Sequence, residues 1–265
     1  MIRLIANHTR ACMRNCAGLF SVERILEMNG ALLAHCGTKK ISREELQLIP
    51  TPEGTLSHQP VSHFRMIEIL LETLSFRHLS VKRDEYAVSV DGMRMFGILD
   101  LVRDYSGVSF SIGVRNANDK SMRLGLTVGY RVFVCDNMAF KGDFTPVQHK
   151  HTKGLELVEI VSIAVDQIQR NFEPLQRQID EWQGRLIDDN WAKLIIYEAF
   201  IEGKLEVPKA LIKNVHANYF EPKYEEFERR TLWSLSNAFT SSFKQLNPIP
   251  QFRATARLGE FLRPL

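Results

Sequence analysis

Val108–Thr152 reads VSFSIGVRNANDKSMRLGLTVGYRVFVCDNMAFKGDFTPVQHKHT, and it carries the clearest two-residue alternation in the chain. Val108, Phe110, Ile112 and Val114 alternate with Ser109, Ser111, Gly113 and Arg115. Successive side chains of a strand point to opposite faces, so these two sets lie on opposite sides of one strand. Asn116–Asp119 reads as a turn. From Met122 the even positions are Met, Leu, Leu, Val, Tyr, Val and Val through Val134, and the odd ones include Arg123, Gly125, Thr127, Gly129 and Arg131. Two antiparallel strands, 108–115 and 122–135, are therefore predicted. One shared face must lie on a core. The other is small-residue and arginine-bearing, and small residues let a helix of the protein or a ligand backbone approach closely.

Outward from this pair, the pattern extends to a meander. Tyr86, Val88 and Val90 alternate with Ala87 and Ser89, Asp91-Gly92 signals a type I′ hairpin turn, and Met93–Val102 is the return strand. Asp104–Gly107 is a further turn. Before the meander, Ile67, Leu70, Leu71 and Leu74 recur at helical spacing behind Ser62, a residue suited to cap a helix that ends near Arg77–His78. The preceding segment, PTPEGTLSHQP, has three prolines and a glycine and is read as a loop. Residues 1–50 are weakly patterned, apart from a capping box at Ser42 and Glu45.

After the meander, Val158, Val161, Val165, Ile168, Phe172, Leu175, Ile179, Trp182 and Leu186 step by three and four in heptad spacing. Pro174 is expected to kink or split that helix near Glu173. Further helices are expected at Trp191–Ile201 with Asp189 as cap, at Val207–Val215, and at Lys223–Leu246, where Asn247-Pro-Ile-Pro ends the helix before a basic tail, 251–265. The predicted class is α+β: an antiparallel β-meander packed by helices, with a helical C-terminal region. Three segments result: 1–50, 51–153 and 154–265, the last packing on the sheet of the second as one globular unit.

Length and composition fit a soluble globular chain: 265 residues, 45% hydrophobic and 25% charged. Net charge is only +3, but it is unevenly spread. Residues 82–153 hold eleven Lys/Arg against eight Asp/Glu, residues 154–230 ten against fifteen, and residues 231–265 four against one. An acidic helical segment thus lies between two basic ones. No apolar run approaches a membrane span, no signal peptide is expected, and the four cysteines do not read as a disulfide framework, which makes a reducing cytoplasm the expected compartment.

No nucleophile elbow, phosphate-binding glycine loop or zinc-protease helix motif occurs. Cys12, Cys16, His8, His35 and Cys36 do not have the spacing of a standard zinc finger, and buried thiols with ordinary surface histidines explain them better. His149 and His151, with Asp143, could hold a metal if they shared a strand face, although a loop whose histidines meet solvent is the simpler account. His58 and His63 are read as structural hydrogen-bonding groups. No cofactor is expected. The basic set Arg115, Lys120, Arg123, Arg131, Lys141, Lys150 and Lys153 is the candidate nucleic-acid-binding group, since clustered guanidinium and ammonium groups bind phosphates through charge-assisted hydrogen bonds. The alternative is a solvated sheet face with cross-strand ion pairs. Stacking of bases would call on Tyr130 or Phe133, of which Tyr130 falls on the apolar face.

The stretches Thr51-Pro-Glu-Gly-Thr-Leu-Ser-His-Gln-Pro-Val-Ser-His63, Val114-Arg-Asn-Ala-Asn-Asp-Lys-Ser121, Gly129-Tyr-Arg-Val-Phe-Val-Cys-Asp-Asn137, Lys150-His-Thr152 and Thr231-Leu-Trp-Ser-Leu-Ser-Asn-Ala-Phe-Thr240 occur here in order. With them the chain resembles, over roughly residues 30–245, a family of phage- and plasmid-encoded bacterial proteins classed only as a domain of unknown function. Asn116-Ala-Asn-Asp stands where that family pattern has a serine, so no role tied to a serine carries over. The resemblance implies a mobile-element context and no established reaction.

Together these readings lead to one expectation: a non-enzymatic DNA-binding protein of mobile-element DNA metabolism, with annealing of single-stranded DNA as its concrete form. An interaction protein that modulates a host defence complex through its acidic 156–206 helices is the alternative, and a metal-dependent enzyme is the next. The heptad seam Val158–Leu186 predicts either a tight intramolecular packing or a homo-oligomer.

Overall fold

The structure, a computed structural model, describes residues 38–135, 137–140 and 156–264. A six-stranded antiparallel sheet runs in meander order, β1 (Thr38–Ile41), β2 (Val81–Ser89), β3 (Arg94–Tyr105), β4 (Val108–Ala117), β5 (Gly125–Val132) and β6 (Met138–Phe140). The α+β class and the four central strands agree with the periodicity. The two outer strands do not announce themselves. Four residues in β1 and three in β6 are too few to show a period, and Lys39 and Lys40 break any apolar alternation. β1 is followed by a short helix, α1 (Arg43–Gln47), whose capping box pairs Ser42 with Glu45.

The turns refine the reading. At Ser106-Gly107 both residues have positive φ, 46° and 84°, the signature of a type I′ turn that matches the strand twist. At Asp91-Gly92 only Gly92 is left-handed (φ 68°). The expected type I′ turn is instead a four-residue connection, because the Asp91 carboxylate accepts from the Met93 N–H at 3.1 Å and from the Ser89 hydroxyl. β5 is shorter than expected, Gly125–Val132 rather than 122–135, so Arg123 lies in the connection before it.

The apolar face carries the core. Val108, Phe110, Ile112 and Val114 of β4 and Leu126, Val128, Tyr130 and Val132 of β5 are buried against helices. Those helices are α2 (His63–Phe76), α3 (Leu157–Arg170), α4 (Phe172–Gly184) and α7 (Leu232–Phe243), with α5 (Asp189–Phe200) and α6 (Ile212–Phe220) around them. Phe110 meets Phe172 with ring centroids 4.9 Å apart, and Tyr130 meets Trp233 at 5.6 Å. Each such side chain contributes about 1.5–3 kcal/mol by leaving water.

The heptad seam is spent inside the chain. Val161, Val165, Ile168, Phe172, Leu175, Ile179 and Trp182 are buried, and only the end positions Val158 and Leu186 are exposed. The seam divides between α3 and α4 at Asn171, and Pro174 sits in the first turn of α4, where an N–H has no helical partner to lose. The seam therefore holds helices to the sheet of its own chain.

α7 is buried on every side. Its small polar residues bond back to the helix: Ser242 Oγ donates to Ala238 O at 2.9 Å and Asn237 Nδ2 to Trp233 O at 3.0 Å. It starts at the Thr231 cap rather than at Lys223, because Glu225–Phe227 forms a separate 3-10 turn. Asp188, not Asp189, caps α5, accepting from Trp191 N–H at 2.8 Å. The expected basic tail is a helix, α8 (Pro248–Leu262). Its two prolines fall in the first turn, where proline starts a helix as readily as it stops one.

The second sheet face is filled by the protein itself. Phe140 of β6 folds across it. A Cβ on Gly113 would lie 3.0 Å from Phe140 Cε1, and one on Gly129 2.6 Å from Phe140 Cδ1. Phe252 of α8 then packs on Phe140 and Phe96, with centroids 5.1 and 5.7 Å apart. The small residues of the 108–131 stretch thus make room for an aromatic ring of the next strand, on which a helix rests. Among the described residues, no helix is long and apolar enough to cross a membrane.

Candidate nucleic-acid interface

Of the seven basic residues picked from the sequence, four lie among the described residues and they have different fates. Arg131 is buried, with its side chain 4% exposed. Its Nε lies 3.1 Å from Asp100 Oδ1 and 2.9 Å from Oδ2, and its Nη1 lies 3.7 Å from Glu85. Ser111 Oγ donates to Asp100 at 2.7 Å, Arg83 reaches Asp100 at 3.2 Å, and Lys40 reaches Glu85 at 3.5 Å. Arg131 therefore belongs to an internal ion network joining β2, β3 and β5, which corrects its placement in an open phosphate-binding group. Register explains it: Arg131 pairs with Met138 of β6 and Ser109 of β4, and the neighbouring strands bring carboxylates to the same face.

Arg115 stands at the other end of that face, between Phe96 of β3 and Gly125 of β5. It is half-buried. Its Nε is buried without a hydrogen-bond partner among the described residues. Burial first, and the positive charge of Arg253 second, hold its pKa below the ordinary arginine value. Among the described residues, neither Arg115 nor Arg253 has a carboxylate partner. Two guanidinium groups thus share one locality, with no acid paired to either among the described residues. Arg253, on α8, was visible in the sequence only as part of a basic tail, because its nearness to β4 depends on Phe252 docking on Phe96 and Phe140.

Lys120 and Arg123 are exposed in the β4–β5 connection, Lys120 with a positive φ of 64°. Asp119 in the same connection is committed to Arg94 at 3.5 Å and to the Ser121 N–H at 2.9 Å. Lys141, Lys150 and Lys153 lie outside the described residues, as do His149, His151, Asp143, His8, Cys12, Cys16, His35 and Cys36. Among the described residues, no group of three His, Cys, Asp or Glu side chains could hold a metal ion.

The connection that carries Lys120 and Arg123 has a rigid base. Asn118 accepts from the Val61 N–H at 2.9 Å and donates to Val61 O at 3.1 Å. His58 Nε2 lies 3.1 Å from Asn118 O. Asn116 Nδ2 lies 2.8 Å from His63 Nδ1, and His63 Nε2 lies 2.9 Å from Gly92 O. The 51–63 and 114–121 stretches, far apart in the chain, meet here as one hydrogen-bonded unit. The two histidines are structural, as the sequence suggested.

Desolvation holds the His63 pKa below its ordinary value, only partly offset by the Gly92 hydrogen bond. The neutral ring donates to Gly92 and accepts from Asn116; a proton on Nδ1 would set two donors against each other. The unfolded chain takes up this proton near pH 6.5, whereas the fold takes it up only at lower pH. Stability is therefore expected to fall as pH drops below about 6.5, by up to about 1.4 kcal/mol per unit until the folded pKa is reached. Urea midpoints at pH 7.5 and 5.5 measure this. In His63→Gln the difference between the two midpoints should shrink, and an unchanged difference would remove His63 as its source.

Phe133 and Tyr130, the two candidate stacking aromatics, also part company. Tyr130 is buried against Trp233. Phe133, just beyond β5, is 49% exposed. Comparison with protein-family models, with curated proteins and with solved structures gives no match.

Proposed function

We propose that the protein binds the phosphate backbone of DNA, single-stranded in its working form, without catalysing a reaction on it. The observation that carries this reading is the Arg115–Arg253 pair: one guanidinium is half-desolvated with a buried Nε that lacks an acceptor, and its charged neighbour has the same sign. Like charges held together in a partly buried place favour an anion between them. A phosphate oxygen supplies the missing acceptor in the form guanidinium groups recognise best. Lys120 and Arg123 extend the positive charge along the β4–β5 connection. The resemblance to phage- and plasmid-encoded proteins supports DNA as the polymer, with annealing of complementary strands as the activity to assay.

Titration of labelled single-stranded and duplex DNA at several salt concentrations tests the reading. Four phosphate contacts to a single strand predict a slope of log K against log salt of about −3. Arg253→Glu, at an exposed position, should weaken binding about tenfold and flatten the slope by about 1. Arg115→Met should act in the same direction while retaining the buried stem. Binding without a salt slope, or unchanged affinity in the folded double variant, would sink the proposal.

A further inference from the structure

Beyond the other end of β5 lies a cleft of about 350 Å³. Val132, Phe133, Phe227, Trp233, Glu226 and Arg229 are part of its wall. Its volume is at the small end of the range for sites that enclose one compact organic group. Three of these wall residues are aromatic, and Phe133 presents half of its surface to solvent. Ser106 and Gln183, also at the cleft, are taken up by each other, with hydrogen bonds of 2.9 and 3.1 Å. The groups left to engage a visitor are Glu226 and Arg229, both exposed and neither in an ion pair among the described residues. Lys82, an exposed residue, places its Nζ 5.9 Å from the Phe133 ring centroid, at the outer limit of a cation–π contact.

We propose that this cleft receives one unpaired nucleobase, stacked on Phe133, with the adjoining phosphate outside against Lys82 and Arg229. The proposal rests on the DNA-binding reading above and names the part of the strand that reading leaves unassigned. The charge pattern decides the orientation. A carboxylate in the wall turns a phosphate away but accepts a hydrogen bond from the N–H groups that every base carries on its pairing edge. An aromatic plate stacks on any base, because every base has a π-face. The cleft and Arg115 lie at opposite ends of β5, roughly 25 Å apart at the rise of a strand, a separation that an extended strand of several nucleotides spans. A base inside a duplex cannot turn its face to Phe133, so the cleft gives the protein a reason to prefer single strands.

The test compares oligodeoxythymidylate with an abasic phosphodiester strand of the same length on the full chain, at two salt concentrations. The thymidylate strand should bind about tenfold tighter. Phe133→Ala should bring the two affinities together, and Phe133→Trp should keep them apart. Equal, salt-dependent binding of both strands to the wild-type protein would overturn the cleft proposal and leave the Arg115–Arg253 reading standing. No salt-dependent binding of either strand would overturn both. A base preference that survives in Phe133→Ala would overturn the assignment to Phe133.

Discussion

Asp100→Ala is expected to remove about 3–5 kcal/mol of unfolding free energy, a large part of the stability of a folded domain. Asp100 is buried and serves three donors at once: the Arg131 guanidinium, the Ser111 hydroxyl and Arg83. Deleting it costs little apolar contact. The loss comes from what remains, a guanidinium with only 4% of its side chain exposed that must stay charged away from water. Glu85, 3.7 Å away, compensates in part, which points to the lower end of the range. Removing both partners, Asp100→Leu with Arg131→Met, should be less damaging than Asp100→Ala alone, because no isolated charge is left behind. Urea unfolding of the two single variants and the double variant gives the coupling directly. A loss below about 1 kcal/mol in Asp100→Ala would mean that water reaches the network and that Arg131 is not buried in it as a strut.

Gly129→Ala should cost about 3 kcal/mol, the upper end for overpacking, although it adds a single methyl group. A Cβ at position 129 would stand 2.2 Å from the Ala139 carbonyl oxygen and 3.0 Å from Phe140 Cα. Both are backbone atoms of β6, so no rotamer change relieves the clash and the strand itself must move. Among the described residues three pairs join β6 to β5, Gly129 with Phe140, Tyr130 with Ala139 and Arg131 with Met138. Moving it also disturbs the contact of Phe140 with Phe252, and with it the seat of α8. Gly113→Ala should cost less, since its nearest obstacles, Thr127 Cγ2 and Phe140 Cε1, are side-chain atoms that can shift. Gly184→Ala, with nothing within 4 Å of its added Cβ, is the control and should stay near the wild type. Thermal unfolding of the three variants ranks them. Equal stability of Gly129→Ala and Gly184→Ala would show that β6 does not pack against Gly129 in the folded protein.

A DNA-binding defect in Arg253→Glu would mean little if the helix carrying it were displaced, so the glycine series also controls for the proposed interface. The seat of Phe252 on Phe96 and Phe140 brings the charge of Arg253 close enough to act on Arg115. Gly129→Ala is therefore expected to weaken binding indirectly, together with stability, whereas Arg253→Glu should weaken it at unchanged stability.

Much of this arrangement could be read from residue order alone. Alternation assigned Ser109, Ser111, Gly113, Arg115, Gly125, Thr127, Gly129 and Arg131 to one face and the apolar partners to the other, and the strand register agrees. Heptad spacing marked the residues of α3 and α4 that enter the core, and cap residues located α1, α2 and, within one residue, α5. These are local matters, settled by the period of the backbone and by the hydrogen bonds a short segment makes with itself. What covers a face is not local. Arg131 lost its freedom to carboxylates on β2 and β3, and Arg115 met a second arginine from the far end of the chain. Period two says which side chains share a side of a strand, but the charge and shape of their neighbours come from segments that only the folded topology brings near. The sequence by itself determined the four central strands of the meander, their two faces and most of the residues committed to the core. Only the tertiary structure decided which arginine is buried as a strut among carboxylates and which stays half-buried beside a second arginine, because that choice depends on long-range partners whose positions no local pattern encodes.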